Sequence, residues 1–452
     1  MATDPHPNHI DQNQTDRTEI HRPQIDRSQI DRSIDAVWRM ESPRLIAALT
    51  RIVRDIGIAE DLAQDALVAA LEQWPQSGVP ENPGAWLMAA AKHRAMDHFR
   101  RSTLHERKHE ELGRELQEKE MAVPNFEAAL DDDLGDDLLR LVFTSCHPVL
   151  PTESRVALTL RLLGGLTTDE IARAFLVPEA TVAQRIVRSK RTLAEKRVPF
   201  EVPRGADLTA RLSSVLEVIY LIFNEGYSAT AGDDWTRPAL CEDALRLGRI
   251  LAELAPREPE IHGLVALMEI QASRLHARVT STGEPILLLD QNRAHWDQLL
   301  IQRGMAALRR AQSLHSASGR FVLQAEIAAC HAHARTAEET DWPGIVDFYT
   351  QLARVTPSPI VDLNRAVAVS MASGPAAGLE LVDALMEERS LQNYHLLPSV
   401  RGDLLKKLGR LEEACAEFGR AASLARNARE RELLLERAQA CANGPSRPDP
   451  PL

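Results

Sequence analysis

The chain has 452 residues, of which 44% are hydrophobic and 26% charged, and its formal net charge at pH 7 is −12. This length suggests about three domains, and the acidic balance excludes a protein whose whole surface binds nucleic acid, so such contacts must come from local basic faces. The cysteines form no Cys-x-x-Cys pair, which argues against a zinc site and a disulfide framework. The N-terminus is polar and no apolar stretch reaches about 20 residues, so we predict no signal peptide and no membrane span, and a cytoplasmic protein.

Residues 1–34 contain a five-residue repeat. Arginine recurs at this spacing, at Arg17, Arg22, Arg27 and Arg32. A period of five matches neither a helix nor a strand, and the stretch holds too little apolar material to build a core. We predict a disordered low-complexity tail, either a tether for a partner or an expanded coding repeat without further role.

Residues 59–74 have the pattern of an amphipathic helix. Its polar side carries Glu60, Asp61, Gln64 and Asp65. A break rich in proline and glycine follows, and a second helix begins near Trp86. The functional candidates on this second helix, mostly basic, are Lys92, His93, Arg94, Asp97, Arg100 and Arg101. Trp86 is either a stacking platform for an unpaired base or an anchor in the core, and the second role is the commoner one at a helix start.

Residues 106–135 are polar and lead into an acidic run that continues through Asp136 and Asp137, which predicts a solvated linker. The segment 136–200 that follows contains a helix-turn-helix pattern. Thr167 and Glu170 have the spacing of a capping box, and Pro178 suits the start of a second helix. On that second helix an apolar side is predicted at Val182, Ile186, Ser189 and Leu193.

The opposite side of this second helix has the composition of a surface that reads DNA bases. Arginine can bind guanine, glutamine can bind adenine, and small apolar groups can contact the thymine methyl in the major groove. The candidates are Ala180, Thr181, Gln184, Arg185, Val187, Arg188, Lys190 and Arg191. A solvated cationic face is the alternative, and the capped preceding helix favours DNA contact.

These segments together resemble sigma factors of the extracytoplasmic-function (ECF) type. The pattern Asp-Leu-x-Gln-Asp at residues 61–65 and the pattern that starts at Trp86-Leu87 and ends at Arg100-Arg101 resemble sigma region 2 over residues 35–105. The helix-turn-helix resembles sigma region 4. This chain departs from the family in having Leu67 and Leu71 where aromatic residues are usual, and His93 where asparagine is common, which leaves the reading of the −10 strand open.

The resemblance implies a mechanism and partners. Asp61, Gln64 and Asp65 would bind a basic coiled coil of bacterial core RNA polymerase, the second helix of region 2 would meet the −10 element of promoter DNA, and region 4 would read the −35 element. The acidic linker would thread toward the polymerase active site, where it is a solvated loop or an anionic strand mimic. No enzyme activity, cofactor or metal is implied.

Residues 207–440 have helical periodicity throughout, and residues 441–452 are predicted to be a disordered tail. Gly402, Ala414, Phe418 and Ala421 have tetratricopeptide-repeat spacing, and Tyr349 precedes Phe418 by about two repeats. We predict an α-solenoid that binds proteins, and an all-α fold for the whole chain.

Two segments of this extension resemble a sigma subgroup with long C-terminal extensions. The subgroup is associated with small YCII-like proteins, which are therefore candidate partners, and the extension would regulate the sigma core. The candidate regulatory residues are Asn224, Glu225, Tyr227, Asp290, Arg293, Trp296 and Asp297. The alternative is that Asp290, Arg293 and Asp297 form caps and salt bridges inside the solenoid. The segment around Gly226 is predicted to be a helix end with a glycine cap.

Two other classes of protein compete with this interpretation. His331 and His333 point about 200° apart on a helix and cannot share one metal ion, so an enzyme built on them is disfavoured. A one-component helix-turn-helix regulator with a helical sensing domain explains residues 167–197 but leaves the region 2 pattern unexplained.

Overall fold

The structure, a computed structural model, describes residues 27–110, 134–175, 177–229, 235–280, 284–314 and 318–443. These residues form helices joined by short turns and no β-strand, apart from one isolated bridge between Val279 and Pro285. The all-α prediction is confirmed. Most of the predicted tail, most of the acidic linker and the predicted C-terminal tail from residue 444 lie outside the described residues.

Seven helices make up the first half of the described chain. They are α1 (Arg27–Val53), α2 (Ile56–Ser77), α3 (Pro83–Glu110), α4 (Leu134–Ser145), α5 (Thr152–Leu162), α6 (Thr168–Phe175) and α7 (Glu179–Glu195). Helices α1 to α3 bundle together, α4 lies on α1, and α5 to α7 form a second group.

Eleven helices follow. They are α8 (Ala206–Tyr227), α9 (Pro238–Leu254), α10 (Pro259–Ala272), α11 (Gln298–Ser313), α12 (Arg320–His333), α13 (Trp342–Val355), α14 (Pro359–Ser373), α15 (Pro375–Ala384), α16 (Leu396–Lys407), α17 (Leu411–Leu424) and α18 (Ala428–Ala442). From α12 onward each helix packs against the next in the chain, as in a solenoid. In the α16–α17 pair, Gly402 leaves room for the buried ring of Phe418, so the repeat spacing in the sequence corresponds to a real helix pair.

One continuous hydrophobic core joins α1 to α12. It includes Leu49 of α1, Leu158 of α5, Ile219 of α8 and Phe321 of α12. Helix α8 therefore shares its core with the helix-turn-helix group. A truncation near residue 205 would expose this apolar face to water.

Two boundaries differ from the sequence prediction. Residues 27–34, expected to be disordered, form the first turns of α1, with Ile30 and Ile34 buried. The physical reason is that the isoleucine spacing shortens here from five to four residues, which places Ile30, Ile34 and Val37 on one helical face. Asp137, expected in the solvated acidic run, is buried in α4 and forms ion pairs of 2.7 Å with Arg51 and Arg140.

Gly226 does not cap a helix, contrary to the sequence prediction. It lies inside α8, and a Cβ at this position would lie 2.7 Å from the backbone nitrogen of Cys241 and 2.9 Å from the carbonyl oxygen of Arg237. The residue is needed for the close approach of α8 and α9.

Replacing Gly226 with alanine is expected to lower the free energy of unfolding by about 1–3 kcal/mol, because both backbones must shift. Gly419 in α17 is the matched control, since a Cβ there meets nothing within 4 Å. Gly419→Ala should instead stabilise the protein by about 0.5–1 kcal/mol. Urea unfolding of both variants measures the difference, and equal effects would contradict the packing role of Gly226.

Candidate nucleic-acid interface

A capping box fixes the first helix of the helix-turn-helix. The Thr167 hydroxyl accepts a hydrogen bond from the Glu170 backbone nitrogen at 3.1 Å, and Glu170 accepts one from the Thr167 nitrogen at 2.8 Å. Glu170 also accepts from Arg39 of α1 at 2.6 Å. The predicted capping box is confirmed, and it is anchored to α1 as well.

The second helix, α7, begins at Glu179 directly after Pro178. Its buried residues are Val182, Ile186, Ser189 and Leu193, which confirms the predicted apolar side. Because these four side chains fix the rotation of α7 about its own axis, the opposite face must point outward. A helix held in this way can enter a DNA groove without moving its own core.

The outward face of α7 holds most of the residues predicted to read the −35 element. Ala180, Gln184, Val187, Arg188 and Arg191 are exposed, and Val187 is 63% accessible. Arg191 forms an ion pair with Glu195 at 2.7 Å, one turn further along the helix. Thr181 and Arg185 are half-buried at the edge of the face.

Lys190 differs from the other predicted DNA-binding residues. Its ammonium group forms an ion pair with Glu60 of α2, and its side chain is only 19% exposed. A lysine committed to a carboxylate is not available to a DNA phosphate. In the arrangement described here Lys190 is therefore paired with Glu60, and its role in DNA binding stays a prediction.

Glu60 is the centre of a buried polar junction between the two helical groups. Its side chain is 4% exposed and accepts from Arg161 Nε of α5 at 2.6 Å and from Gln64 Nε2 at 2.7 Å, in addition to pairing with Lys190. A buried carboxylate must be paired in this way to offset its lost hydration. We call these four residues the Glu60 junction; it ties α2 to α5 and α7.

The residues predicted to bind polymerase lie on the same helix as this junction. Asp61 and Asp65 are exposed, and Asp65 lies 3.7 Å from Arg94 of α3. Gln64 is half-buried and engaged with Glu60. Helix α2 thus presents two carboxylates outward while its neighbouring turn holds α7.

The predicted −10 surface of α3 is largely open to solvent. His93, Asp97 and Arg100 are exposed, and Lys92 and Arg94 are half-buried; the side chain of Arg101 lies outside the described residues. Trp86 packs edge-on against the buried Trp74, with ring centroids 5.3 Å apart, so in this arrangement it is a core anchor.

The extension contacts the helix-turn-helix group through three arginines. Arg155 of α5 donates to Ser214 of α8, Arg237 donates to the carbonyl oxygen of Ala174 at the end of α6, and Arg246 of α9 donates to the carbonyl oxygens of Leu163 and Gly164. These arginines were not predicted from the sequence, because their partners are mostly backbone carbonyls distant along the chain. No local pattern marks them.

Three of the predicted regulatory residues form clear contacts within the extension. Glu225 pairs with Arg237, Tyr227 accepts a hydrogen bond from Arg274, and Asp297 caps α11 through hydrogen bonds from Leu299 and Leu300. The cap formed by Asp297 agrees with the structural alternative, and the regulatory roles stay predictions. The remaining members are Asn224, half-buried, Asp290, exposed, and Arg293 and Trp296, both buried.

His331 gives the extension a pH-dependent stability. Burial, with Arg274 and Arg293 nearby, lowers the pKa of His331 to about 3. In the unfolded chain this imidazole binds a proton near pH 6.5, whereas in the folded chain it stays neutral until about pH 3. The contribution of His331 to folding stability is therefore fully present above pH 6.5 and is lost as the pH falls toward 3. Between pH 7 and 5.5 we expect His331 to lower the free energy of unfolding by about 1 kcal/mol.

Urea unfolding at the two pH values measures this loss, and His331→Phe, which keeps a ring against Trp342, should reduce it. His333 is exposed on the same helix, and His333→Phe should leave the pH-dependent loss of stability as it is in wild type. An identical pH dependence in wild type and His331→Phe would contradict the assignment.

Within the described ranges, no group of three or more His, Cys, Asp or Glu side chains is placed to hold a metal ion. No described helix combines the length and apolar character needed to cross a membrane.

Comparison with known proteins places these surfaces in a family. Residues 37–104 match Sigma-70 region 2, residues 140–193 match Sigma-70 region 4, and residues 211–312 match a family of unknown function, DUF6596. The first two matches cover α1 to α3 and α4 to α7 respectively.

Three relatives show how far the likeness extends. A Rhizobium meliloti protein described as "Uncharacterized protein R00370" is 42% identical over 399 residues, 88% of this chain and 93% of that protein. The "Probable ECF RNA polymerase sigma factor SigI" of Mycobacterium tuberculosis is 25% identical over 37% of this chain and 57% of its own length. The "Probable RNA polymerase sigma-C factor" of Mycobacterium bovis is 27% identical over 32% of this chain and 73% of its own length. With both sigma regions present in order, this chain belongs to the ECF-type sigma factors and continues into a long helical extension.

Proposed function

We propose that this protein binds bacterial core RNA polymerase in the cytoplasm and directs it to promoters, with α3 at the −10 element and α7 at the −35 element, and that it has no catalytic activity of its own. The observation that carries the proposal is the outward face of α7. Gln184, Val187 and Arg188 project from a helix whose opposite side is buried. Amide, methyl and guanidinium groups on one face provide the chemistry that distinguishes adenine, thymine and guanine.

The Glu60 junction holds the protein in an arrangement that is not the one in which it binds a promoter. The −10 and −35 elements lie about 25 base pairs apart, as their names state, and this distance is about 85 Å at 3.4 Å per base pair. Helix α2 packs against α3 and is joined to α7 through one carboxylate, so α3 and α7 cannot occupy both elements at once. We infer that the junction opens when the protein binds a promoter, which releases Lys190 to contact a phosphate.

Polymerase binding supplies a means of opening it. Gln64 donates to Glu60, and Asp61 and Asp65 lie within the next turn of α2. A basic polymerase surface that binds these carboxylates would compete with Arg161 and Lys190 for Glu60. Polymerase binding to α2 and release of α7 would thus be coupled.

The extension would regulate this opening in cis. Arg237 and Arg246 hold the carbonyl groups at the end of α6 and after α5, so movement of α8 and α9 would reach the helix-turn-helix directly. A small YCII-like protein stays a proposed partner of the extension, by resemblance alone.

The polymerase contact can be tested with Asp61→Asn and Asp65→Asn together. We expect association with core polymerase to slow roughly tenfold at low salt, because exposed carboxylates act mainly through electrostatic steering. Glu81→Gln, an exposed carboxylate in the loop before α3, is the control. Surface plasmon resonance at two salt concentrations measures the rates, and unchanged association in the double variant would contradict the assignment. Failure of wild type to bind polymerase at all would favour a one-component regulator.

A further inference from the structure

Three arginines of the extension alternate with three aromatic rings. Arg278 lies 5.7 Å from the ring centroid of Trp235 and 3.9 Å from that of Tyr227; Arg274 lies 5.7 Å from Tyr227 and 5.5 Å from Trp296; Arg293 lies 5.2 Å from Trp296. All five distances are in the range of cation–π contact. We call these six residues the arginine ladder.

The charges of the ladder have no carboxylate partner among the described residues. Glu225, the nearby acid on α8, pairs with Arg237, and Glu269 of α10 pairs with Arg249 at 2.8 Å. Glu338 and Glu339 act on Arg293 only at a distance. Burial lowers the pKa of Arg278, which shows how poorly this cation is hydrated. Buried cations in folded proteins are normally paired, and ring faces compensate only part of the lost hydration.

The ladder also has more hydrogen-bond donors than acceptors. The Nε atoms of its three arginines and the indole nitrogens of Trp235 and Trp296 are buried without a hydrogen-bond partner. Arg293 uses its other nitrogens to bind the carbonyl groups of His331 and Ala334 and the hydroxyl of Thr340, so it is a structural cross-link. Arg274 and Arg278, in contrast, share the phenol oxygen of Tyr227.

We propose that Arg274 and Arg278 form a binding site in the extension for the oxyanion group of a small molecule, a phosphate or a carboxylate. Two guanidinium groups beside one phenol present forked donors that match the oxygen atoms of such a group. The bound anion supplies the negative charge and the hydrogen-bond acceptors that the described residues do not provide. Trp235 and Trp296 flank the pair, each with one of the two guanidinium groups over its ring. This inference does not depend on the proposed sigma function.

The test is a titration of the full-length protein with inorganic phosphate and with succinate, at constant ionic strength against sodium chloride. At about 20 mM phosphate or succinate we expect the melting temperature of wild type to rise by about 2–4 °C. Phosphate also stabilises proteins generally through exclusion from their surface, so the quantity compared is the rise in wild type relative to the rise in variants.

Arg274→Gln and Arg278→Gln should each abolish the specific rise, and Arg257→Gln, which removes an exposed arginine of the same extension, should retain it. Without added anion, Arg278→Gln should melt no lower than wild type, because it removes a half-buried charge that has no carboxylate partner among the described residues. If either glutamine variant fails to fold, Arg278→Lys, which keeps the charge and loses the fork, should reduce the rise at least twofold.

Two results would overturn the proposal. The first is that neither phosphate nor succinate changes the melting temperature or the tryptophan fluorescence of wild type more than sodium chloride does. The other is a rise that persists undiminished in the Arg274 and Arg278 variants, which would place any anion elsewhere. A response to phosphate alone or to succinate alone supports the site and identifies its oxyanion.

Discussion

Replacing Arg188 with alanine is expected to weaken binding to −35 promoter DNA about 5- to 100-fold while the fold is retained. Arg188 is exposed near the middle of α7, on the side opposite Ile186 and Leu193. Its side chain forms no hydrogen bond or ion pair with another described residue, so its loss should leave the fold intact. A bidentate arginine–guanine contact contributes about 1–3 kcal/mol of discrimination, which corresponds to this range of affinities.

The measurement is fluorescence anisotropy with promoter DNA and with scrambled DNA at several salt concentrations. If Arg188 reads a base, the loss should be confined to promoter DNA; if it binds a phosphate, both DNAs should weaken together and the salt slope should fall by about one. Arg257→Ala controls for the change in net charge. A loss below twofold on promoter DNA would contradict the assignment of this face of α7.

Glu60→Gln is expected both to destabilise the protein and to raise its affinity for DNA. The substitution removes the charge that Arg161 and Lys190 share, at a site where the carboxylate is 4% exposed. Breaking a buried ion pair typically costs about 3–5 kcal/mol; because both cations reach solvent, we expect a loss of about 2–3 kcal/mol. The freed α7 should bind promoter DNA roughly threefold to tenfold more tightly.

Glu72→Gln is the matched control, since Glu72 is exposed on the same helix. Urea unfolding gives the stability change, and anisotropy gives the affinity. Fluorescent labels on α2 and α7 would report separation of the two helical groups. An unchanged distance and unchanged DNA affinity in Glu60→Gln would show that the Glu60 junction does not restrain α7.

The sequence predicted the parts of this site that depend on local patterns. The Thr167–Glu170 capping box spans three residues and the buried side of α7 follows a helical period, so both can be recognised in a short window. The same windows located Asp61 and Asp65 on an exposed helical face.

Contacts distant along the chain could not be predicted in this way. Arg161 lies 101 residues beyond Glu60, and a lysine on a helix surface has the same local pattern whether it faces DNA or a buried carboxylate. Lys190 was therefore assigned to DNA. Gly226 was assigned to a cap because a glycine needed for helix–helix contact and a capping glycine are alike in sequence. Tertiary packing decided each case.

The most direct test of the proposed function is transcription in vitro with core RNA polymerase, full-length protein and DNA from upstream of its own coding sequence. Full-length protein is preferable to a truncation at residue 205, because α8 shares its core with α4 and α5. We predict transcripts from a defined start site that require this protein and decrease at least fivefold with Arg188→Ala. If core polymerase starts no transcript when this protein is added, on this DNA or on a library of genomic fragments, the result would contradict a role of this protein as a sigma factor.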